Sequence, residues 1–291
     1  IHTMSKTVKI IECPRDAMQG IKSFIPTLDK VQYIQALLRV GFHTIDFGSF
    51  VSPKAIPQMQ DTAALLSGLD TTASNTKLLA IIANVRGAKA AAAFEQIDYL
   101  GFPFSISENF QMRNTHKTIA QSEEVLKEIL DIADRKQKQV VVYLSMAFGN
   151  PYGDPWTVDI VGDWVHHLHK MGVQILSLSD TIGSSKPQSI SYLFSTLITA
   201  YPAIEFGAHL HTHPNTWHEK VEAAYVAGCR RFDGAINGYG GCPMAKDALT
   251  GNMPTEKLLS YFTTHNIDSK LDVLAFESAH NVASKLFSNY F

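Results

Sequence analysis

Eight times along the chain a short apolar run gives way to an amphipathic stretch, with little else between. No other feature restricts the fold as strongly. The apolar runs cover residues 8–13, 43–47, 77–83, 97–102, 139–145, 174–179, 206–213 and 230–235. Apolar residues at helical spacing follow at 29–40, 54–67, 87–94, 118–136, 157–171, 187–200, 215–227 and 254–265, and a terminal helix is expected at 277–289. Runs that are continuously apolar, rather than alternating, indicate strands of a parallel sheet buried on both faces. Eight such units within 291 residues indicate a closed (β/α)8 TIM barrel, one catalytic domain over residues 5–291 with a C-terminal helical extension. An open doubly wound sheet is the competing arrangement, but no G-x-G-x-x-G fingerprint follows the first strand.

With 45% hydrophobic residues the chain can bury a large core, and a net charge of −2 gives no basic excess for nucleic acid or an anionic membrane surface. No apolar run approaches the roughly 20 residues of a membrane span, and no signal peptide is expected ahead of the first strand. Three cysteines, Cys13, Cys229 and Cys242, are poor material for a disulfide framework. Together these features lead us to expect a cytoplasmic protein in a reducing compartment. The opening residues 1–4 are expected to be disordered or an expression scar, since Ile1-His2-Thr3 stands ahead of Met4.

Reactive groups in such barrels gather where strands end. The seventh unit carries Phe206-Gly-Ala-His-Leu-His-Thr-His213, and the period-two geometry of a strand puts His209 and His211 on one face. Two imidazoles so placed can grip a divalent ion. Arg15, Asp16 and Gln19 follow the first strand, Asp46 ends the second, and Asn252 lies ten residues past Cys242. Asp16, His209, His211 and Asn252 offer carboxylate, imidazole and amide donors, a set that suits Mg²⁺ or Mn²⁺. Each residue alone has a plainer reading. Asp16 with Arg15 reads as a salt-bridged turn, Asp46 as a cap, and Asn252 after Gly251 as a turn residue. Joint placement on one rim is what those readings leave unexplained. Three glycines precede Cys242 within five residues, allowing a loop that closes over a ligand and carries a thiol able to act as proton donor or nucleophile. Cys13 and Cys229 read as structural, and His166, His167 and His169 as a solvated helix face. Arg230 and Arg231 read as bottom-rim charges, and Trp217 as packing.

Six stretches carry a resemblance: Glu12-Cys-Pro-Arg-Asp-Ala-Met-Gln19, Ser49-Phe-Val-Ser-Pro-Lys-Ala-Ile-Pro-Gln-Met59, Ser107-Glu108 with Asn114, Asp180-Thr-Ile-Gly183, His209-Leu-His211, and Gly238-Tyr-Gly-Gly-Cys-Pro243 with Gly251-Asn252. From Val8 to past Glu256 the chain resembles the metal-dependent barrel acyl-CoA lyases and synthases, most closely the 3-hydroxy-3-methylglutaryl-CoA lyases. The resemblance implies Asp16, His209, His211 and Asn252 as ligands of Mg²⁺ or Mn²⁺, Arg15 as stabiliser of a developing enolate, Cys242 as the catalytic thiol, and Gln19 at the substrate. Asp46 stands where the family has a glutamate that takes part in the site. The implied reaction cleaves 3-hydroxy-3-methylglutaryl-CoA to acetyl-CoA and acetoacetate in a retro-Claisen sense, with Asp46 or His209 as base, and the family suggests a homodimer. A condensing enzyme acting on a 2-oxo acid, an aldolase of 4-hydroxy-2-oxo acids and a non-catalytic acyl-CoA-binding barrel are the alternatives. The chain departs from the family at Cys13 and Ala17, where glycines are usual, and at Ser179 and Thr212.

Overall fold

The computed structural model describes residues 7–241 and 250–290. Ten strands run in chain order: β1 (Lys9–Glu12), β2 (Thr44–Ser49), β3 (Lys77–Ile81), β4 (Tyr99–Ser105), β5 (Gln139–Ser145), β6 (Ile175–Ser179), β7 (Glu205–His209), β8 (His211–Thr212), β9 (Arg231–Gly234) and β10 (Gly251–Asn252). Eight of them close a parallel barrel in the order β1-β2-β3-β4-β5-β6-β7-β9. The closing seam pairs Lys9 with Arg231 and Glu12 with Gly234, which excludes the open sheet. The two-residue β8 and β10 form a separate antiparallel pair, His211 opposite Asn252.

Alternation along the strands sorts side chains into two layers. Leu78, Ala80, Leu100, Phe102, Val140 and Val142 point outward into the core beneath the helices. Leu79, Ile81, Tyr99, Val141, Tyr143 and Ile175 form a second cluster inside the barrel. Both faces of β3, β4 and β5 are therefore apolar, which is why the sequence shows runs there instead of alternation.

Helices α1 (Pro14–Gln19), α2 (Thr27–Leu38), α3 (Thr62–Ser67), α4 (Val85–Ala92), α5 (Glu108–Thr115), α6 (Ile119–Arg135), α7 (Val158–Lys170), α8 (Pro187–Ala200), α9 (Trp217–Val226), α10 (Thr255–Thr264) and α11 (Val273–Phe287) complete the described chain. The expected helix over 54–67 is shorter. A 3₁₀ turn at Pro57–Met59 precedes α3, because prolines at 53 and 57 disfavour the helical region for the residues before them. Neither α1 nor α5 was expected. Each is under nine residues, too short to establish a 3.6-residue period. The terminal helix starts at Val273 rather than 277, where Asp272 caps it by accepting from the Ala275 N–H. His166, His167 and His169 are exposed on α7, and Cys13 and Cys229 are buried, as expected. Arg231 is not a rim charge: it is 1% exposed inside the barrel, with Nη1 on Glu205. Gly207 makes its room, since a Cβ there would lie 3.1 Å from the Arg231 side chain.

Glu12 closes the top of this seam. Its fully buried carboxylate accepts from the Ile236 N–H at 2.8 Å and the Thr255 hydroxyl at 2.5 Å. Burial pushes its pKa up to about 8, against those two hydrogen bonds. With a folded pKa above the unfolded value, the folded state holds a proton that the unfolded chain has lost. Stability should therefore fall as pH rises from about 4.5 to 8, by up to about 1.4 kcal/mol per pH unit from this group. Glu12→Gln keeps a carbonyl oxygen for Ile236 and is expected to flatten that slope in denaturant titrations at pH 5 and 8. An unchanged slope would remove Glu12 as its source.

Candidate active site

Four elements converge at the C-terminal end of the barrel. Helix α1 starts immediately after β1, with Pro14 at its first turn, and so swings Arg15, Asp16 and Gln19 over the barrel mouth. Strand β7 ends at His209, and one residue on β8 holds His211 against Asn252 of β10. The short antiparallel pair is what carries a residue far along the chain, Asn252, back to the histidines.

Ligand atoms of Asp16, His209 and His211 lie within 4.8 Å of one another. Asn252 joins them, its side-chain amide 3.2 Å from Asp16 Oδ2 and 2.8 Å from the Tyr239 carbonyl. Each imidazole is fixed through Nδ1: His209 against Asp233 Oδ2 at 2.9 Å, and His211 against the Thr181 carbonyl at 2.9 Å. That leaves both Nε2 atoms for the site. Among the described residues His211 Nε2 is buried without a hydrogen-bond partner, and His209 Nε2 lies 3.5 Å from Asp16 Oδ2. A buried acceptor facing a carboxylate and a second imidazole is the arrangement a divalent cation satisfies, and a carbonyl or carboxylate behind each ring is the usual support of a ligating histidine. The residues present therefore fit a bound Mg²⁺ or Mn²⁺.

The electrostatics agree. Burial opposes a charged His209, but hydrogen bonds and charge from Asp16 and Asp233 override it and lift the ring to about 10. Burial would raise Asp16, yet His209, Arg15 and His211 hold it below the usual carboxylate range. His211 is pushed down by burial and by the neighbouring His209. Asp16 and Asp233 together favour positive charge at the His209 ring.

Arg15 stands beside this cluster, 9% exposed. Its Nε lies 3.1 Å from both oxygens of Asp46 and its Nη2 donates to Oδ2 at 2.6 Å, while Nη1 donates to Gln19 Oε1 at 2.8 Å. This two-pronged pairing locks the guanidinium plane. Asp46 is 1% exposed behind it, and burial raises its pKa against the pull of Arg15. Sequence reasoning missed Asp233, although a lone carboxylate in the apolar run Arg231-Phe-Asp-Gly234 is a readable signal. It also missed Thr181, whose contribution is a backbone carbonyl. Cys242 lies outside the described residues, but Gly241 lines the same cavity as Arg15, Asp16, His209 and His211. That cavity, about 370 Å³, has an apolar side formed by Val51, Ala55, Ile56, Ile81, Ala83 and Phe110. Among the described residues no helix is long and apolar enough to cross a membrane.

A closed parallel barrel with a carboxylate and two carbonyl- or carboxylate-backed imidazoles at its upper rim defines the class, a (β/α)8 protein with a rim cluster able to hold a divalent cation. Residues 7–283 match the HMGL-like family model, and the chain belongs to that family. It is 31% identical over 260 residues to the hydroxymethylglutaryl-CoA lyase YngG of Bacillus subtilis, covering 89% of this chain and 85% of that one. It is 32% identical over 281 residues to the 3-hydroxy-3-isohexenylglutaryl-CoA/hydroxymethylglutaryl-CoA lyase of Pseudomonas aeruginosa, with 95% and 91% covered. An HMG-CoA lyase from Acinetobacter baumannii, solved with coenzyme A and 3-methylmalate, superposes with a TM-score of 0.89 at 29% identity, over 99% of this chain and 93% of that one.

Proposed function

We propose that this protein cleaves 3-hydroxy-3-methylglutaryl-CoA to acetyl-CoA and acetoacetate. The observation that carries the reading is the joint placement of Asp16, His209, His211 and Asn252 beside a guanidinium locked in plane. Those four residues would hold the Mg²⁺ or Mn²⁺, which when bound lowers the pKa of the substrate hydroxyl and orients it. The chain's own groups do the rest. As the C2–C3 bond breaks, the C3 hydroxyl gives up its proton to solvent, C3 becomes the ketone of acetoacetate and the electron pair passes to C2 as the acetyl-CoA enolate. Arg15 stabilises the enolate oxygen, and Gln19 steadies Arg15 from the side opposite Asp46. Cys242 returns a proton to C2.

Asp46 has both oxygens engaged by Arg15, so we give it the work of orienting that residue in place of the base. His209 cannot both ligate a cation and take a proton through Nε2, and Asp233 at Nδ1 supports the ligand role. We carry the homodimer and the cytoplasmic location as proposals from the family resemblance and the sparse cysteines, of which Cys13 and Cys229 are free.

The test is product release from 3-hydroxy-3-methylglutaryl-CoA with Mg²⁺ and after chelation, on wild type and Cys242→Ala. Metal-dependent release that collapses in Cys242→Ala while Mn²⁺ binding persists is expected. Undiminished cleavage by the variant would sink the thiol's role. A second reading rests on the apolar side of the cavity, which has the chemistry to take a 3-alkyl group larger than methyl. A kcat/KM for a longer 3-alkyl homologue above that for the methyl substrate would establish it.

A further inference from the structure

Beneath His211 lies a buried cation that the chemistry proposed above does not use. Lys220, on α9, is 4% exposed. Its ammonium donates to Asp180 Oδ2 at 3.0 Å, to the His211 carbonyl at 2.9 Å and to the Gly183 carbonyl at 3.2 Å. Asp180, 1% exposed, also accepts from the Ser185 backbone N–H at 3.0 Å and from the Ser185 hydroxyl. The Asp180 N–H in turn donates to the His209 carbonyl at 2.9 Å. Between Asp180 and Gly183 sits Thr181, whose carbonyl accepts the His211 Nδ1–H and whose hydroxyl accepts the Met146 N–H at 2.8 Å.

All three donor positions of the ammonium are thus committed. One goes to the main chain of His211. The other two go to the two ends of the short turn whose carbonyl fixes the His211 ring. We propose that Lys220 is a positioning residue for the cation site, holding the His211 backbone and ring in register with each other. This rests on His211 being a ligand.

The alternative is that Lys220 merely neutralises Asp180, and the two ideas predict opposite signs. A buried positive charge near a dication is repulsive, so by charge alone its removal should tighten the metal. By position, removal lets the ring and main chain drift apart, and loss of such ligand support typically weakens metal binding about 10–100-fold.

The experiment is Mn²⁺ titration followed by electron paramagnetic resonance, with thermal unfolding alongside, on wild type, Lys220→Met and Lys220→Met/Asp180→Asn. The double variant removes both buried charges and is expected to recover the thermal stability lost by the single. Expected are a Kd raised about tenfold or more in Lys220→Met and no recovery of affinity in the double variant. If Lys220→Met does not fold, the double variant carries the comparison alone. Affinity restored in the double variant together with Tm, or a wild-type or tighter Kd in Lys220→Met, overturns the inference. Wild-type protein that takes up no Mn²⁺ overturns the ligand set itself, and the inference with it.

Discussion

Arg15→Gln is expected to lower kcat by roughly 10²–10³, the effect of losing about 3–4 kcal/mol of stabilisation from one well-placed donor. KM and Mn²⁺ affinity should change far less, because the role proposed for Arg15 is to meet charge that develops only as the C–C bond breaks. Three donors of the guanidinium are already bound, to Asp46 and Gln19, so the group meets its substrate without reorganising. Arg15→Lys should rescue little: an ammonium keeps the charge but cannot span both oxygens of Asp46. Since Asp46 is 1% exposed, Arg15→Gln leaves a buried carboxylate unpaired, and its stability cost must be separated from its kinetic one. The double variant Arg15→Gln/Asp46→Asn is expected to regain Tm but not turnover. Steady-state kinetics within about threefold of wild type for Arg15→Gln would rule out the enolate-stabilising role.

Asp16→Ala should be the more damaging change to the metal site. It removes a proposed ligand outright, so the loss of Mn²⁺ affinity is expected to exceed the about 10–100-fold typical of residues that only support a ligand. It also removes one of the two carboxylates that lift His209 to about 10. In metal-free protein the His209 ring should therefore titrate lower in Asp16→Ala than in wild type, readable by ¹⁵N NMR of the imidazole. Mn²⁺ binding unchanged in Asp16→Ala would place the cation elsewhere. An unmoved His209 would mean that Asp233 alone governs that ring.

The barrel was legible because its cause is local and repeated. Eight apolar runs at strand length, each followed by an amphipathic stretch, have few ways to bury both sheet faces, and closure is the one that fits this chain length. The rim residues were legible for a related reason. A strand's end marks where its side chains leave the core, so Arg15, Asp16, His209 and His211 could be assigned to one rim from the strands alone.

What the tertiary structure decided is everything that depends on two distant segments meeting. Strand pairing between His211 and Asn252 is set by a register no local pattern encodes. Asp233, Lys220 and the Thr181 carbonyl support the histidines from three other elements. In the sequence they are an acid in a strand, a lysine on a helix and a turn residue. Only the folded chain likewise brings both oxygens of Asp46 onto Arg15, the contact from which we propose that it orients that neighbour. Periodicity records which face of an element is buried, and so it fixes architecture and rim. Which buried polar group satisfies which other is a property of contact across the fold, and only the folded chain contains it.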